Sequence, residues 1–198
     1  ISVLATGFNV VDVAEARKRD IPVSNVPIYG TDSVAQFVFA LLLQLCHNVA
    51  LHDRLVKEGA WATNPDFCFW ETPLMELRGK TMGIVGFGRI GRQTGSLAAA
   101  FGMKVIAYNR SQRDAPDIDG FEWVGLDELF QRSDVVSLHC PQTADNIGFV
   151  NQTLLETMKP GSFLINTARG PLINERDLGE ALDAGTLAGA AVDVVSAE

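Results

Sequence analysis

The sequence predicts an α/β fold: a doubly wound parallel sheet with the remnant of a second, smaller unit ahead of it. Three observations predict it. From Lys80 onward, short apolar runs alternate with helical segments. Several of those runs are continuously apolar rather than alternating, which suits strands covered on both faces. The first of them leads directly into a glycine-rich turn, GFGRIG at 86–91, that opens a helix.

The elements follow in order. Residues 1–6 and 22–26 read as short strands around a polar helix at 11–19. That is too little chain to enclose its own core, so 1–25 is read as the tail of a domain whose body is missing, and 26–198 as the α/β domain that follows. A long linking helix is predicted at 32–59, capped by Asp32 or Ser33 and crowded with apolar residues over 34–45. The aromatic stretch WATNPDFCFWETP (61–73) is punctuated by Pro and Asn and reads as a connector that packs on a neighbour or a second subunit. Strands are then expected at 81–87, 104–109, 122–126, 134–140, 162–167 and 187–195, and helices at 89–101, 127–132, 152–158 and 174–184. The chain opens at Ile1 inside a strand-like segment and closes at Glu198 just after another, so both ends are expected to be cut.

Composition narrows the functional classes. The 198 residues are 47% apolar and 20% charged, which is ordinary for a globular chain. A net charge of −8 argues against a general affinity for nucleic acid. The longest apolar run, 34–46, is broken by Gln36 and Gln44 and is too short to span a bilayer, and no segment reads as a signal peptide. Cys46, Cys68 and Cys140 are odd in number, far apart and without metal-ligand spacing, so they read as reduced thiols in a cytosol-like compartment.

GFGRIG is a G-x-G-x-x-G turn. The pattern alone is common; its place after a strand and at the start of a helix marks a Rossmann-type dinucleotide site. Gly86 permits the tight turn, Gly88 lets the backbone approach a pyrophosphate, and Gly91 lets helix and strand pack closely. The first-turn N–H groups and the helix dipole favour the dianion. An acid at the end of the second strand usually binds the ribose of NAD. This chain has Asn109 there, followed by Arg110, Ser111 and Arg113. Asn does not repel a 2′-phosphate, and the arginines attract one. The reading leans to NADP. The alternative keeps Asn109 on the ribose of NAD, with the arginines as solvated loop charges.

A second cation stands out. In FLINTARGPL (163–172) an apolar strand ends in a small-residue turn holding Arg169. Ligands of open α/β sheets lie at the carboxyl ends of strands, and a guanidinium fork matches a carboxylate. The alternative is a structural ion pair with a nearby acid.

Several stretches together resemble one family: ATGFNVVDVAEARKRDIPVSNVP (5–27), TDSVAQFVFALLL (31–43), LRGKTMGIVGFGRIGR (77–92), DVVSLHCPQT (134–143), LINTARGPLINE (164–175) and LAGAAVDVVSAE (187–198). They resemble the D-isomer-specific 2-hydroxyacid dehydrogenases, and within them the glycerate dehydrogenase (hydroxypyruvate reductase) and phosphoglycerate dehydrogenase branch. The resemblance implies hydride transfer between NAD or NADP and a small 2-keto or D-2-hydroxy acid such as hydroxypyruvate or glyoxylate. It implies that Arg169 binds the substrate's carboxylate and carbonyl side next to the nicotinamide. It implies that Glu198 pairs with a catalytic His and raises its pKa. That His lies beyond Glu198 in the family, and His47, His52 and His139 do not match it. The chain as given is therefore expected to bind coenzyme without turning over. By the same resemblance Arg89 and Ile90 contact the pyrophosphate through backbone, while His139, Cys140 and Pro141 flank the adenine side with help from Thr143. Thr167 and Ala168 lie near the nicotinamide, and Asp193 holds its carboxamide. The family's substrate-carboxylate loop is expected upstream of Ile1. The resemblance also implies that 1–25 is the remnant of a smaller, flavodoxin-like substrate domain and 26–198 the nucleotide-binding domain. It implies a homodimer, because the long helix and the aromatic loop at 61–73 resemble the family's subunit contact. A nicotinamide-sensing corepressor-like protein on the same scaffold is the alternative in another class.

Overall fold

The structure, a computed structural model, describes residues 1–112 and 114–197. Its first unit is small. β1 (Ser2–Val3) and β2 (Ser24–Asn25) pair in parallel around α1 (Val13–Lys18). The Asp12 carboxylate accepts from the Glu15 N–H and starts α1. Both strands are far shorter than expected, because only two residues of each find a partner.

The predicted single long helix is two helices. α2 (Thr31–His47) and α3 (Val49–Lys57) meet at Asn48, which sits in the left-handed region at φ 46°, and the two are bent by 53°. Asn tolerates that conformation better than most side chains. The break follows from packing. α2 buries Val38, Phe39, Leu42 and Cys46, whereas α3 buries no residue. The expected cap also moves: Gly30 is the N-cap, Ser33 Oγ donates back to its carbonyl, and Asp32 lies inside the first turn, where its charge suits the dipole. A short helix, α4 (Ala60–Thr63), interrupts the aromatic connector.

The main sheet has six parallel strands: β3 (Thr81–Val85), β4 (Lys104–Tyr108), β5 (Glu122–Trp123), β6 (Val135–Leu138), β7 (Phe163–Asn166) and β8 (Gly189–Val192). Their spatial order is β5-β4-β3-β6-β7-β8. Counted from β3, that is the doubly wound order 3-2-1-4-5-6, with the reversal of direction between β3 and β6. The strands are continuously apolar because alternate residues feed two cores. Met82, Ile84, Val105, Ala107, Ile165 and their neighbours face α2 and α5 (Arg89–Ala100). Val85, Ile106, Val136, Leu138 and Leu164 face α6 (Leu126–Arg132), α7 (Gln152–Leu155) and α8 (Glu175–Asp183). α2 is thus a core helix of the nucleotide-binding fold and more than a linker. The crevice opened by the reversal lies at the carboxyl ends of β3 and β6.

Candidate active site

The glycine turn is fixed by main chain. Gly86 has φ +96° and donates its N–H to the Tyr108 carbonyl at 2.9 Å. A Cβ here would stand 2.6 Å from the His139 carbonyl carbon and 2.7 Å from Cys140 Cα. Only glycine fits, because the neighbouring strand end offers no side chain to yield. A Cβ on Gly91 would press on the Gly86 carbonyl and come within 3.1 Å of Ile84. At Gly88 a Cβ would meet nothing within 4 Å, so the backbone there faces open space. α5 begins at Arg89 with no side-chain cap on its first-turn N–H groups, Ile90 among them. Open space over free N–H donors at the start of a three-turn helix suits a pyrophosphate. Phe87, between the glycines, is buried against Phe121 and Trp123 and anchors the turn from below.

Asn109 differs from the simplest expectation. Its Oδ1 accepts from the Phe87 N–H at 2.8 Å, so its oxygen is committed to the glycine turn. A backbone N–H requires an acceptor, and this places the Nδ2 donor on the other side. Arg110 and Ser111 follow on the exposed surface. Arg113 lies outside the described residues.

At the end of β6 the His139 N–H donates to the Val85 carbonyl at 2.7 Å, and its Nε2 lies 2.8 Å from Ser137 Oγ. Burial pushes the His139 pKa down to about 4 and leaves it neutral. Burial also raises the Cys140 thiol pKa, against the weaker lowering by a backbone hydrogen bond and by Arg110, which disfavours its thiolate. Thr143 lies in the loop that leaves this strand end. It caps a short turn over Ala144–Asn146, its hydroxyl and N–H both bonded to Asn146. Asn146 Nδ2 also donates to the Pro141 carbonyl at 2.9 Å and closes the loop. T-x-x-N is the polar analogue of a capping box, and that signal was available in the sequence.

The arginine turn is held by Asn166, which is fully buried at the end of β7. Its Nδ2 donates to the Arg169 carbonyl at 2.9 Å and its Oδ1 accepts from the Ala168 N–H at 3.0 Å. This pair of bonds to the main chain fixes the turn that carries Arg169. Arg169 Nη1 reaches the Ala168 carbonyl, 2.6 Å away. Among the described residues no carboxylate pairs with Arg169, so the ion-pair alternative has no partner there. Thr167 Oγ1 is buried without a hydrogen-bond partner beside it, a donor left for a ligand. Asp193, exposed at the end of β8, donates its N–H to the Asn166 carbonyl. Glu198 lies outside the described residues. Of the histidines, His47 is exposed on α2 and His52 is occupied by Asn48 and Glu71.

Gly7 completes the site, and sequence reasoning missed it. A Cβ on Gly7 would collide with the Arg169 guanidinium. The first unit therefore reaches the arginine turn itself through Gly7. The sole signal was a glycine in ATGFN, and nothing local marks its distant neighbour.

Comparison with known proteins places this geometry. The family profile of the D-isomer specific 2-hydroxyacid dehydrogenase, NAD binding domain, matches residues 39–198. A hydroxypyruvate reductase of Blautia hydrogenotrophica is 52% identical over the whole chain, which covers 62% of that protein. Among solved structures, an acyclic imino acid reductase in complex with NADPH and D-Arg is 36% identical with a TM-score of 0.87, over 100% of this chain and 62% of that one. D-lactate dehydrogenase from Aquifex aeolicus, complexed with NAD and lactic acid, is 34% identical with a TM-score of 0.88, over 100% and 58%. The chain spans about 60% of the length of these relatives. With the family profile matching residues 39–198 and six parallel strands in the doubly wound order, the chain belongs to the D-isomer specific 2-hydroxyacid dehydrogenase family.

Proposed function

We propose that this chain is the coenzyme-binding part, with a segment of the substrate domain, of a dehydrogenase that reduces a small 2-keto acid, hydroxypyruvate or glyoxylate, to the D-2-hydroxy acid. The observation that carries this is the meeting of Gly7 with the Arg169 guanidinium, which pairs with no carboxylate among the described residues, at the end of the sheet where the glycine turn opens. The division at residue 26 rests on the small separate β1–α1–β2 unit and on the family profile beginning within α2.

The orphaned Thr167 hydroxyl and the open face of Gly88 fit a nicotinamide dinucleotide. Gly86, Gly88 and Gly91 with the Arg89 and Ile90 N–H groups would hold its pyrophosphate, His139, Cys140 and Pro141 would border the adenine, and Thr167, Ala168 and Asp193 the nicotinamide. When bound, the nicotinamide exchanges the hydride with the acid. Arg169 holds the carboxylate and polarises the keto oxygen, which favours the charge that develops there. Among the described residues nothing accepts from the Gly7 N–H, so it is free to donate to the same carboxylate. Glu198, by the family pattern, raises the pKa of a His on the longer protein so that it protonates the new alkoxide.

The coenzyme preference follows from Asn109. With its oxygen bound to Phe87, it presents only a donor outward, beside Arg110 and Ser111. A 2′-phosphate is acceptor only and matches; a ribose diol wants a carboxylate. NADPH is therefore favoured over NADH. A homodimer is supported by the aromatic connector, where Phe67 is 90% and Trp70 64% exposed on an ordered loop tied by Trp61 and Asn64. The relatives are reductases and dehydrogenases, which leaves the corepressor-like alternative without support.

The test is NADPH and NADH oxidation by the full-length gene product with a panel of 2-keto acids. Turnover with hydroxypyruvate or glyoxylate and at least tenfold higher kcat/KM for NADPH is expected. Flat traces with every acid reject the dehydrogenase reading.

A further inference from the structure

One hydrogen-bonded strap joins the two halves of the site, and the reaction as proposed leaves it without a role. The Val26 N–H donates to the Ala5 carbonyl at 3.2 Å, Thr6 Oγ1 donates to the Val26 carbonyl at 2.9 Å, and Asn25 Nδ2 donates to the Thr6 carbonyl at 2.9 Å. One residue further on, the Pro27 carbonyl accepts from Arg89 Nη2 of the glycine turn at 3.0 Å. The strap thus runs from the coenzyme turn, through 25–27, to the Thr6–Gly7 peptide against Arg169.

The Asn25 bond sets a direction. In a trans peptide the C=O and N–H point opposite ways, and the chain has no cis peptides among the described residues. Holding the Thr6 carbonyl toward Asn25 turns the Gly7 N–H away from it. The pairing of β1 and β2 covers two residues each and ends before this turn, so it does not supply that control. Asn25 and Thr6 are both exposed, so their bond encloses no core. A polar side chain on the surface that fixes one peptide plane beside the Arg169 guanidinium has its consequence in the site.

We infer that Asn25 is a positioning residue: through the Thr6 carbonyl it orients the Gly7 N–H and seats Gly7 beside Arg169, so that the two donors converge on one carboxylate. Arg89 anchors the same strap from the coenzyme side by holding Pro27. The inference rests on the proposed binding of a small acid at Arg169, and it is tested without requiring turnover.

Oxalate, a non-reducible stand-in for a 2-keto acid, is titrated calorimetrically into the full-length protein saturated with reduced coenzyme. Wild type is compared with Asn25→Ala and the isosteric Asn25→Asp, both of which lack the donor. Oxalate Kd is expected to rise about tenfold in both. The coenzyme Kd, read by nicotinamide fluorescence, is expected to stay within twofold, and where turnover is measured KM for the acid rises while kcat holds. Unchanged oxalate Kd in a folded Asn25→Asp protein overturns the inference, as does a parallel loss of coenzyme affinity or a wild type that binds no oxalate. Flat turnover traces beside the expected oxalate shifts would sink the dehydrogenase reading and uphold this one.

Discussion

The glycine turn at 86–91 and the arginine turn at 166–170 lie on either side of the end of β6, and they are closed by different pieces of the chain. The first is closed by main chain: Gly86 has the backbone of His139 and Cys140 pressed against it, and Gly91 the Gly86 carbonyl. The second is closed by distant pieces. Val195 and Ser196 crowd Gly170, and Gly7 comes from the other end of the sequence to meet the tip of the Arg169 side chain. Backbone cannot yield, so Gly86 and Gly170 are both fixed on folding, whereas the guanidinium against Gly7 can move. The coenzyme turn is thus fixed throughout, and the proposed acid site is adjustable only on its Gly7 side.

The sharpest way to break this comparison is to add one methyl group to each turn. Gly86→Ala combines a main-chain overlap with a left-handed φ of +96°. Together these are expected to cost about 3 kcal/mol of folding stability and to abolish coenzyme binding. Urea denaturation and fluorescence titration check both. Gly88→Ala is the control, since its methyl meets no protein atom within 4 Å. Its stability should stay within about 0.5 kcal/mol of wild type while coenzyme affinity still falls.

The same contrast explains what could be read from the sequence. The glycine turn, the six strand centres and helices α5 and α8 were legible, because each depends on residues within one turn or one strand. Strand ends were overextended, as at 122–126, where only Glu122 and Trp123 find β4 to pair with. The break at Asn48 was not legible: apolar residues run on past it, and only the sheet beneath α2 decides where burial stops. In the site, Arg169 announced itself as a cation in a small-residue turn, and Asn166 was quoted in N-x-x-R-G without its clamping role. Gly7 was invisible as a neighbour of Arg169 because no local pattern encodes a contact between opposite ends of a chain.

Gly7→Ala sharpens the comparison from the other side. Its methyl meets only the far end of a flexible side chain, so the guanidinium moves and the fold does not. Stability should hold within about 0.5 kcal/mol. KM for the 2-keto acid should rise about thirtyfold, roughly 2 kcal/mol, with coenzyme Kd unchanged. A stability loss equal to that of Gly86→Ala would show the arginine turn to be as rigid as the glycine turn.

The strand end between the two turns gives the smallest effect, and it is read by pH. His139 is neutral when folded because burial holds its pKa at about 4, below the ordinary value of 6.5. Below pH 6.5 the unfolded chain takes up a proton that the folded chain refuses, so stability falls as pH drops from 6.5 toward 4 and is unaffected by this group above that window. Between pH 7.5 and pH 5 the loss attributable to His139 is about 2 kcal/mol. Denaturation curves of wild type and His139→Asn across that range should therefore converge as the pH is lowered, since Asn carries no proton to refuse. Curves that stay parallel would mean that His139 opens to water easily. The end of β6 would then resemble the yielding contact of Gly7 with Arg169 and not the fixed glycine turn whose Gly86 its backbone confines.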